Sequence, residues 1–239
     1  MDNASYTALT RQSGLLSEMQ AIANNIANAS TTGYRAEGVL FAEYIAALGP
    51  DAPSLSMASA EVRQTVQMQG ALAQTGSTFD LAIEGDGYFM VLTPQGERLT
   101  RSGHFTPNEN GDLVTAEGYP VADSGGAPMF VPQGTANIGI SADGTLSADG
   151  QPVGQVGVFM PADPDGMIRE DGVRFIAESG TEPALDARIV QGYLEQSNVN
   201  PVQEITRMIE VQRAYELGQN LLDREDERIR SVIRDLSRS

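Results

Sequence analysis

The chain has 239 residues, a net charge of −17 and no cysteine. This length allows one large domain or two modest ones, and so negative a charge argues against a nucleic-acid partner. The absence of cysteine excludes disulfides, thiolate metal sites and a cysteine nucleophile. There is no run of 18 apolar residues, which predicts no membrane span, and the segment after Met1 lacks the basic and apolar regions of a cleavable secretory signal.

The negative charge is concentrated in the middle of the chain. Residues 46–198 carry a balance of −14, whereas residues 1–45 carry −2 and residues 199–239 carry −1. Nearly neutral ends can pack together without long-range repulsion, while a strongly acidic middle favours contact with water. The charge pattern therefore agrees with two packing ends and a solvated middle.

The first predicted element is a helix from Asn3 to about Ala29, with apolar residues at helical spacing in two stripes. One stripe contains Leu15, Met19, Ile22 and Ile26, and the flanking stripe contains Leu9, Leu16 and Ala23. The run from Ser30 to Gly33 predicts the end of the helix, with the glycine as a left-handed cap.

Residues 34–199 are predicted to be mainly strands and turns. Residues 34–48 fit either a short helix or an extended arm, and residues 49–60 have the composition of a flexible connector. Strand patterns begin near Val62 and continue to about Pro183 between frequent Gly, Pro and Asp-Gly turns, which predicts an all-β body. A last strand begins at Arg188, and Ser197 and Asn198 are predicted to cap the helix that follows near Pro201.

The C-terminal stretch, 200–236, is predicted to be a long helix with two apolar stripes. The first stripe contains Ile205, Met208, Tyr215, Leu222, Ile229, Ile233 and Leu236, interrupted by Gln212, Gln219 and Asp226. The second contains Ile209, Leu217 and Leu221. A narrow apolar stripe with polar residues set into it is typical of a helix that packs against other helices. The simplest arrangement pairs the first and last helices and leaves the rest as an insert.

The sequence shows little sign of catalysis. The single histidine, His104, lies near Ser102, but no GlyXxxSerXxxGly turn or nucleotide-binding glycine motif accompanies them. Residues Thr106–Glu117 approach the spacing of a calcium loop, although Thr106 stands at the first ligand position and an Asn-Gly hairpin explains the same residues. A carbohydrate-active hydrolase has no supporting motif.

Three stretches of the chain resemble bacterial flagellar rod and hook proteins. They are AlaIleAlaAsnAsnIleAlaAsnAlaSerThrThrGlyTyrArg at 21–35, LeuAlaIleGluGlyAspGlyTyrPheMetVal at 81–91, and GlyTyrLeuGluGlnSerAsnValAsnProValGlnGluIleThrArgMetIleGluValGlnArgAlaTyrGlu at 192–216. The first and third are long, specific motifs at the two ends of the chain. The opening MetAspAsnAlaSerTyrThrAla and the chain length resemble proximal rod members more than distal rod or hook members.

The resemblance implies a structural subunit of the flagellar basal-body rod, with no enzyme activity and no cofactor or metal. The subunit would assemble with copies of itself and with other rod subunits, transmit torque, and enclose the export channel. It would reach the periplasmic rod unfolded, through the flagellar type III export apparatus. Two alternatives remain: a distal rod or hook-type axial subunit, or a secreted acidic module that binds calcium.

The implied fold class is α+β, with two long terminal helices in a coiled-coil-like unit and an inserted all-β body. Residues 1–33 and 200–239 would form the inner helical part, 34–75 and 184–199 a connecting arm, and 76–183 the outer part. The amides of Asn24, Asn25, Asn28, Gln212 and Gln219 could set the register between helices, or could simply face water. The predicted subunit-interface residues are Leu15, Met19, Ile22, Asn24, Asn25, Ile26, Asn28, Ile205, Met208, Ile209, Gln212, Arg213, Tyr215 and Leu222.

Overall fold

The computed structural model describes residues 3–46, 55–135, 137–184 and 186–236. Helix α1 spans Asn3–Ala27 and helix α2 spans Pro201–Leu236, and the named elements between them are all strands. These strands are β1 (Glu37–Ala46), β2 (Leu55–Thr65), β3 (Leu72–Gln74), β4 (Leu81–Glu84), β5 (Tyr88–Thr93), β6 (Gly96–Thr100), β7 (Thr106–Pro107), β8 (Leu113–Val114), β9 (Ile138–Ile140), β10 (Thr145–Ala148), β11 (Gln151–Gln155), β12 (Val158–Pro161), β13 (Met167–Asp171), β14 (Arg174–Ala177), β15 (Thr181–Pro183), β16 (Arg188–Gln191) and β17 (Tyr193–Glu195). The α+β class with an inserted all-β body is confirmed.

The strands pair antiparallel in several small sheets. The largest has the order β13-β14-β6-β5-β12-β15, and a three-stranded sheet has the order β11-β10-β9. Two-stranded sheets join β1 to β2, β4 to β16, β3 to β17 and β7 to β8. The pairs of β3 and β4 with β17 and β16 are contacts between distant parts of the sequence, which hairpin signals cannot predict.

Strand β5 explains the continuous apolar run that follows the GlyAspGly turn. Side chains alternate between the faces of a strand, and here both faces are covered. Phe89 and Val91 enter one hydrophobic cluster, and Tyr88 and Met90 enter the other. A strand buried on both faces needs apolar residues at every position, so it does not show the alternation of a half-exposed strand.

The contacts within the chain divide it into two compact units. The helical unit comprises Met1–Ala27, Glu37–Val66 and Asn200–Ser239, and the β unit comprises Asn28–Ala36 and Gln67–Val199. Thus residues 37–66 group with the helices, and residues 184–199 group with the β strands through β16 and β17. The division into an inner part, an arm and an outer part stays a prediction.

The segment around residues 34–60 was only partly foreseen. Residues 37–46 are extended as β1, which decides between the two interpretations left open. The predicted connector is wrong for residues 55–60, because they form the start of β2 and pair with residues 41–46 of β1. Pairing with β1, which ends shortly before β2 in the sequence, outweighs a composition rich in Ser and Ala. Residues 47–54 lie outside the described residues.

Both predicted helix caps require correction. Asn200, not Ser197 or Asn198, caps α2: its Oδ1 accepts from the backbone N–H groups of Val202 and Gln203, at 3.1 and 3.3 Å. At the other end, α1 stops at Ala27, and Gly33 lies several residues beyond it. Gly33 has the expected left-handed conformation, with φ of 71°, but it does not cap the helix.

Candidate assembly surface and junction

Helices α1 and α2 pack against each other along one face. Their small shared core contains Leu15, Ile22 and Val211, all buried, with Met19, Ile26, Met208, Ala214 and Tyr215 partly buried around them. Val211 was missed in the predicted stripe, although it lies three residues after Met208 and four before Tyr215. That spacing places Val211 on the same helix face as Met208 and Tyr215.

Polar contacts show that the two helices run antiparallel. Gln12 Nε2 donates to the backbone oxygen of Tyr215 at 2.9 Å. Further along α1, Glu18 accepts from Arg207 at 2.9 and 2.8 Å. Near the end of α1, Asn25 Nδ2 lies 3.3 Å from Glu204 Oε2. Because the partner number falls as the α1 number rises, these contacts fix both direction and register.

Gly218 leaves room for the side chain of Gln12 between the two helices. A Cβ at this position would lie 2.3 Å from Gln12 Nε2, too close for van der Waals contact. The side chain of Gln12 is itself buried between the helices. Glycine inside a helix costs about 1 kcal/mol relative to alanine, so close packing with Gln12 is the physical reason for a glycine here.

A second apolar surface of α2 is left uncovered. It consists of residues whose side chains have these exposed fractions: Val202 74%, Leu217 71%, Leu221 53%, Ile205 50% and Ile209 45%. On α1, Leu9 and Leu16 are also exposed. We call this set the open apolar surface. One helix partner cannot cover two apolar stripes: Met208 and Tyr215 of the first stripe pack against α1, whereas Ile205 of that stripe and all three members of the second stay exposed.

Helix α2 also extends past the first described turn of α1. It has 36 residues against 25 for α1, and Tyr215 already lies opposite Gln12. Ile229 and Ile233 continue the stripe of Tyr215 and Leu222 into this extension, and both are exposed. The side chain of Leu236 lies outside the described residues. The α1-facing stripe thus continues beyond the part of α1 that could bury it.

The predicted interface residues fall into two groups. Leu15, Ile22 and Asn25 are buried, and Met19, Ile26, Asn28, Met208, Tyr215 and Leu222 are partly buried. Asn24, Ile205, Ile209, Gln212 and Arg213 are exposed. The structure therefore brings the first group into packing inside the chain and leaves the second group open to solvent.

Asn25 makes its contacts inside the chain. Its Oδ1 accepts from Glu37 N at 2.8 Å, and its Nδ2 donates to Glu37 O at 2.9 Å. This two-point contact with the backbone of β1 orients the amide completely. Asn28, in the β unit, accepts from both the backbone N–H and the hydroxyl of Thr31 at 3.1 Å. Of the three asparagines, only Asn24 presents an exposed side chain.

A buried cluster of three charged side chains lies within the β unit. Glu195 is placed between two arginines, with Oε1 3.0 Å from Arg35 Nη2 and Oε2 3.0 Å from Arg101 Nη1. All three side chains are at most 2% exposed. The Arg101 contact is a hydrogen bond, whereas Arg35 Nη2 is poorly aligned for one despite the short distance. Two buried cations therefore share one carboxylate.

The same cluster holds three distant segments together, which we call the junction: residues 33–36, 67–70 and 195–198. The backbone N–H of Gly33 donates to Glu195 O at 2.7 Å, and that of Gly70 donates to Glu195 Oε1 at 3.1 Å. Asn198 Oδ1 accepts from Ala36 N at 2.6 Å, while its Nδ2 donates to Met68 O at 2.7 Å. Residues on either side of long insertions are thus joined directly.

Two glycines of the junction are required by close backbone packing. A Cβ on Gly33 would lie 2.3 Å from Ser102 N, and one on Gly70 would lie 1.9 Å from Gln196 O. Neither obstacle is a flexible side chain. Gly33 thus serves backbone approach to residues 101–102, which explains why it lies beyond the helix end.

Electrostatics around the cluster follow from burial. Burial lowers the pKa of Arg101 below its ordinary value, with the nearby Glu195 carboxylate acting in the opposite direction. Burial also raises the pKa of Tyr88, while the charges of Arg35 and Arg101 act to lower it. The Arg101 guanidinium lies 5.3 Å from the Tyr88 ring centre. Tyr88 OH donates to Gln67 Oε1 at 2.7 Å, which adds a second contact to the 67–70 segment.

Arg169 of β13 stabilises the junction from outside. Its guanidinium carbon lies 4.7 Å from the Tyr34 ring centre and 4.6 Å from that of Phe175, and Nη2 donates to Arg35 O at 2.6 Å. Arg35, Arg101, Glu195 and Arg169 were not predicted as site residues. Arg35 and Glu195 fall within the motifs at 21–35 and 192–216, but spacing alone does not reveal that they meet.

The residues considered for metal binding and catalysis have local structural roles. Asn108 Oδ1 accepts from the backbone N–H groups of Asn110 and Asp112 at 2.8 and 2.9 Å, so the predicted alternative of a hairpin accounts for Thr106–Glu117. Within the described residues there is no group of three or more potential metal ligands. His104 Nδ1 lies 2.7 Å from Asp80 Oδ1 in a bridge between neighbouring backbone segments.

Comparison with known proteins defines the class. Residues 6–35 match the family described as "Flagella basal body rod protein", residues 82–148 match "Flagellar hook protein FlgE/F/G D1 domain", and residues 190–235 match "Flagellar basal body rod FlgEFG protein C-terminal". The matches follow the chain order of α1, the β unit and α2. Three regions of the chain therefore match families of flagellar rod and hook proteins.

Individual relatives narrow the assignment. The chain is 40% identical to the flagellar basal-body rod protein FlgF of Mesorhizobium japonicum, over 90% of each chain. It is 38% identical to FlgF of Caulobacter vibrioides over 100% of this chain and 99% of the relative, and 30% identical to the rod protein FlgG of Bacillus subtilis over 95% and 97%. The chain belongs to the flagellar basal-body rod protein family and is a FlgF-like structural subunit of the rod. Within the described residues, neither helix is long and apolar enough to cross a membrane.

Proposed function

We propose that the subunit assembles into the proximal rod through the open apolar surface of α1 and α2. In this arrangement each helix pair packs against the helices of neighbouring subunits in a coiled-coil-like tube, and the β unit lies outside. The tube transmits torque and encloses the export channel. The function requires no catalysis, cofactor or metal, and no nucleic acid takes part.

The exposure of Val202, Ile205, Ile209, Leu217 and Leu221 is the observation that carries this proposal. Burying one such side chain contributes about 1.5–3 kcal/mol of favourable free energy. Five exposed apolar side chains on one helix therefore strongly favour association. A family whose named members are rod proteins offers copies and relatives of the same helices as partners. The predicted interface residues Asn24, Ile205, Ile209, Gln212 and Arg213 are the exposed ones that such partners would contact.

The buried members of the predicted set have a supporting role. Leu15, Met19, Ile22, Asn25, Ile26, Asn28, Met208, Tyr215 and Leu222 are proposed to keep the helix pair and its connections in the shape that neighbours recognise. Their side chains pack or bond inside the chain. Delivery to the periplasmic rod, unfolded through the flagellar type III export apparatus, completes the proposal.

Replacing one exposed isoleucine tests the assembly surface. Ile209→Asp places a charge where neighbouring helices would bury an apolar group, and we expect cells that carry it as their only copy to lose swimming. The purified variant should keep its β unit folded, because Ile209 is not part of any core cluster. Circular dichroism and amide exchange of the purified protein check that folding.

Two control variants separate charge from shape. Ile209→Met keeps an apolar side chain of similar volume and should preserve swimming. Gln203→Glu adds a negative charge at an exposed polar position in the first turn of α2, where charge is tolerated, and should also preserve it. Normal swimming of the Ile209→Asp strain would contradict the proposed packing of α2.

A further inference from the structure

The buried cluster of the junction has an unequal charge balance. Arg35 and Arg101 bring two positive charges, and Glu195 brings one negative charge, all at most 2% exposed. Taking charges out of water is costly unless they are paired. Here a single carboxylate pairs with both guanidiniums, so its removal would leave two buried cations without a counter-ion among the described residues.

Glu195 also contacts each of the other two junction segments directly. Its backbone oxygen accepts from Gly33, and its carboxylate reaches Gly70 N and Arg35. Arg35 in turn donates from Nη1 to Gln67 O. Among the described residues, no member of the three core clusters falls in 33–36 or 67–70, so polar contacts carry much of the docking. The Glu195 side chain contacts both of these segments, and Asn198 adds bonds to Ala36 and Met68.

We propose that Glu195 is the shared counter-ion of a latch, meaning the set of contacts that holds residues 33–36, 67–70 and 195–198 to one another and to the rest of the β unit. These segments dock cooperatively. The latch closes only when the carboxylate of Glu195 is present. It opens as a whole, because each segment depends on the others for its hydrogen bonds. The body of the β unit remains folded when the latch opens.

The order of these residues along the chain determines when the latch can form during synthesis. Synthesis starts at the N-terminus, so Arg35 and Gln67 exist well before Glu195. Until residues 195–198 are present, Arg35 and Arg101 have no carboxylate to bury with them, and burial without one is unfavourable. The segment that follows α1 thus stays undocked until the segment that precedes α2 has arrived.

Amide exchange on the full chain tests the latch. Glu195→Gln keeps the size and shape of the side chain and removes only its charge, so a packing role alone would not respond. We expect the amides of Gly33, Ala36, Gly70 and Asn198 to exchange about 100-fold faster or more, and to the same degree. Core amides such as those of Leu92 and Met129, which donate to Pro120 and Val121, should keep their rates.

A second buried carboxylate provides the matched control. Asp80 is also buried, and it pairs with His104 outside the junction. Asp80→Asn is the same kind of change, from carboxylate to amide, and should leave the four junction amides unchanged. Equal acceleration of these amides in Asp80→Asn and Glu195→Gln would overturn the proposal, as would wild-type rates in Glu195→Gln.

A suppressor keeps the test decisive if Glu195→Gln unfolds the whole β unit. Adding Arg35→Met removes one of the two unpaired cations while preserving an apolar stem of similar length. The double variant should therefore exchange more slowly at Gly70 and Asn198 than Glu195→Gln alone. Arg35→Met by itself leaves Arg101 paired with Glu195 and should accelerate the junction amides only about tenfold. A double variant no slower than the single one would overturn the shared counter-ion.

Discussion

The β unit buries most of its large apolar side chains, whereas the helical unit leaves many of its own exposed. In the β unit, β5 is covered on both faces, and Leu81, Phe89, Leu113 and Leu146 are completely buried. In the helical unit, one small core holds α1 to α2, and more leucine and isoleucine side chains of these helices face solvent than lie in that core. The β unit packs two hydrophobic clusters from its own residues, whereas the helical unit leaves an apolar surface exposed.

The difference supports the proposal that the subunit assembles through its helices. An exposed apolar surface in a soluble protein is costly to keep and is associated with interaction sites. An acidic, well-packed unit favours solubility and little association. The two units thus differ in how much of their apolar surface they bury. The following predictions test that difference.

The largest contrast is expected between one leucine and one phenylalanine. Phe89→Ala removes a completely buried ring that packs edge-on against Phe105, with ring centres 5.2 Å apart, and should destabilise the β unit by about 3–5 kcal/mol. Leu217→Ala, at a 71% exposed position, should change monomer stability by less than about 0.5 kcal/mol. Urea denaturation at low protein concentration measures both.

The same leucine should matter once the protein is concentrated. Because Leu217 belongs to the open apolar surface, Leu217→Ala should weaken self-association seen by sedimentation at high concentration, whereas Phe89→Ala should not weaken it in the fraction that remains folded. A large loss of monomer stability in Leu217→Ala would mean that this side chain is already buried within its own molecule, and the contrast between the units would fail.

An intermediate effect is expected at Gly218, where an added Cβ would meet the side chain of Gln12. In wild type, Gly218→Ala gains about 1 kcal/mol of helix propensity but forces Gln12 away from the Tyr215 backbone oxygen, and the two effects should nearly cancel. In a Gln12→Ala background the clash is gone, so Gly218→Ala should stabilise by about 1 kcal/mol. Thermal unfolding of the helices, followed by circular dichroism, supplies the four values of the cycle. An equal effect of Gly218→Ala in both backgrounds would show that the two residues do not contact.

The smallest effect concerns an ion pair of the β unit between buried Arg98 and partly exposed Glu170. Arg98 Nε and Nη2 both lie 2.7 Å from the carboxylate of Glu170, and these hydrogen bonds hold the pKa of Glu170 below its ordinary value of 4.5. A depressed pKa in the folded state gives stability that is present above pH 4.5 and lost as the pH falls through the lower, folded value.

Glu170→Gln should therefore cost up to about 1 kcal/mol at pH 7, and this cost should shrink on acidification below pH 4.5. Urea denaturation of the variant and wild type at several pH values measures the difference. Asp171→Asn, a neighbouring change at an exposed acid that pairs with Arg174, serves as control. A difference that stays constant with pH would contradict the assigned cause of the shift.

The sequence predicted the elements better than their connections. The helix of α1 and that of α2, the buried run of β5 and the turns of the middle were all recognisable from local spacing. The start of β2 was taken for a connector, because its pairing with β1 supplies what its composition lacks. The cap of α2 was placed two residues early, because Asn198 is engaged with Ala36 and Met68 instead.

The candidate sites divide in the same manner. Two apolar stripes on α2 could be read from spacing, and with them the need for more than one partner. Spacing did not show which stripe α1 would cover, since that depends on Gln12, Glu18 and Asn25 finding their partners. The junction could not be found at all, because the residues that meet there are separated by 32 to more than 160 positions.

By itself, therefore, the sequence determined the two terminal helices, the acidic β body between them, and the family resemblance that both ends carry. These properties depend on near neighbours: three and four residues apart in a helix, two in a strand. Tertiary structure alone decided which face of α2 remains open and that Arg35, Arg101 and Glu195 share one buried site. Such contacts join residues far apart in the chain, and their energies come from burial and charge pairing that exist only after the chain has folded.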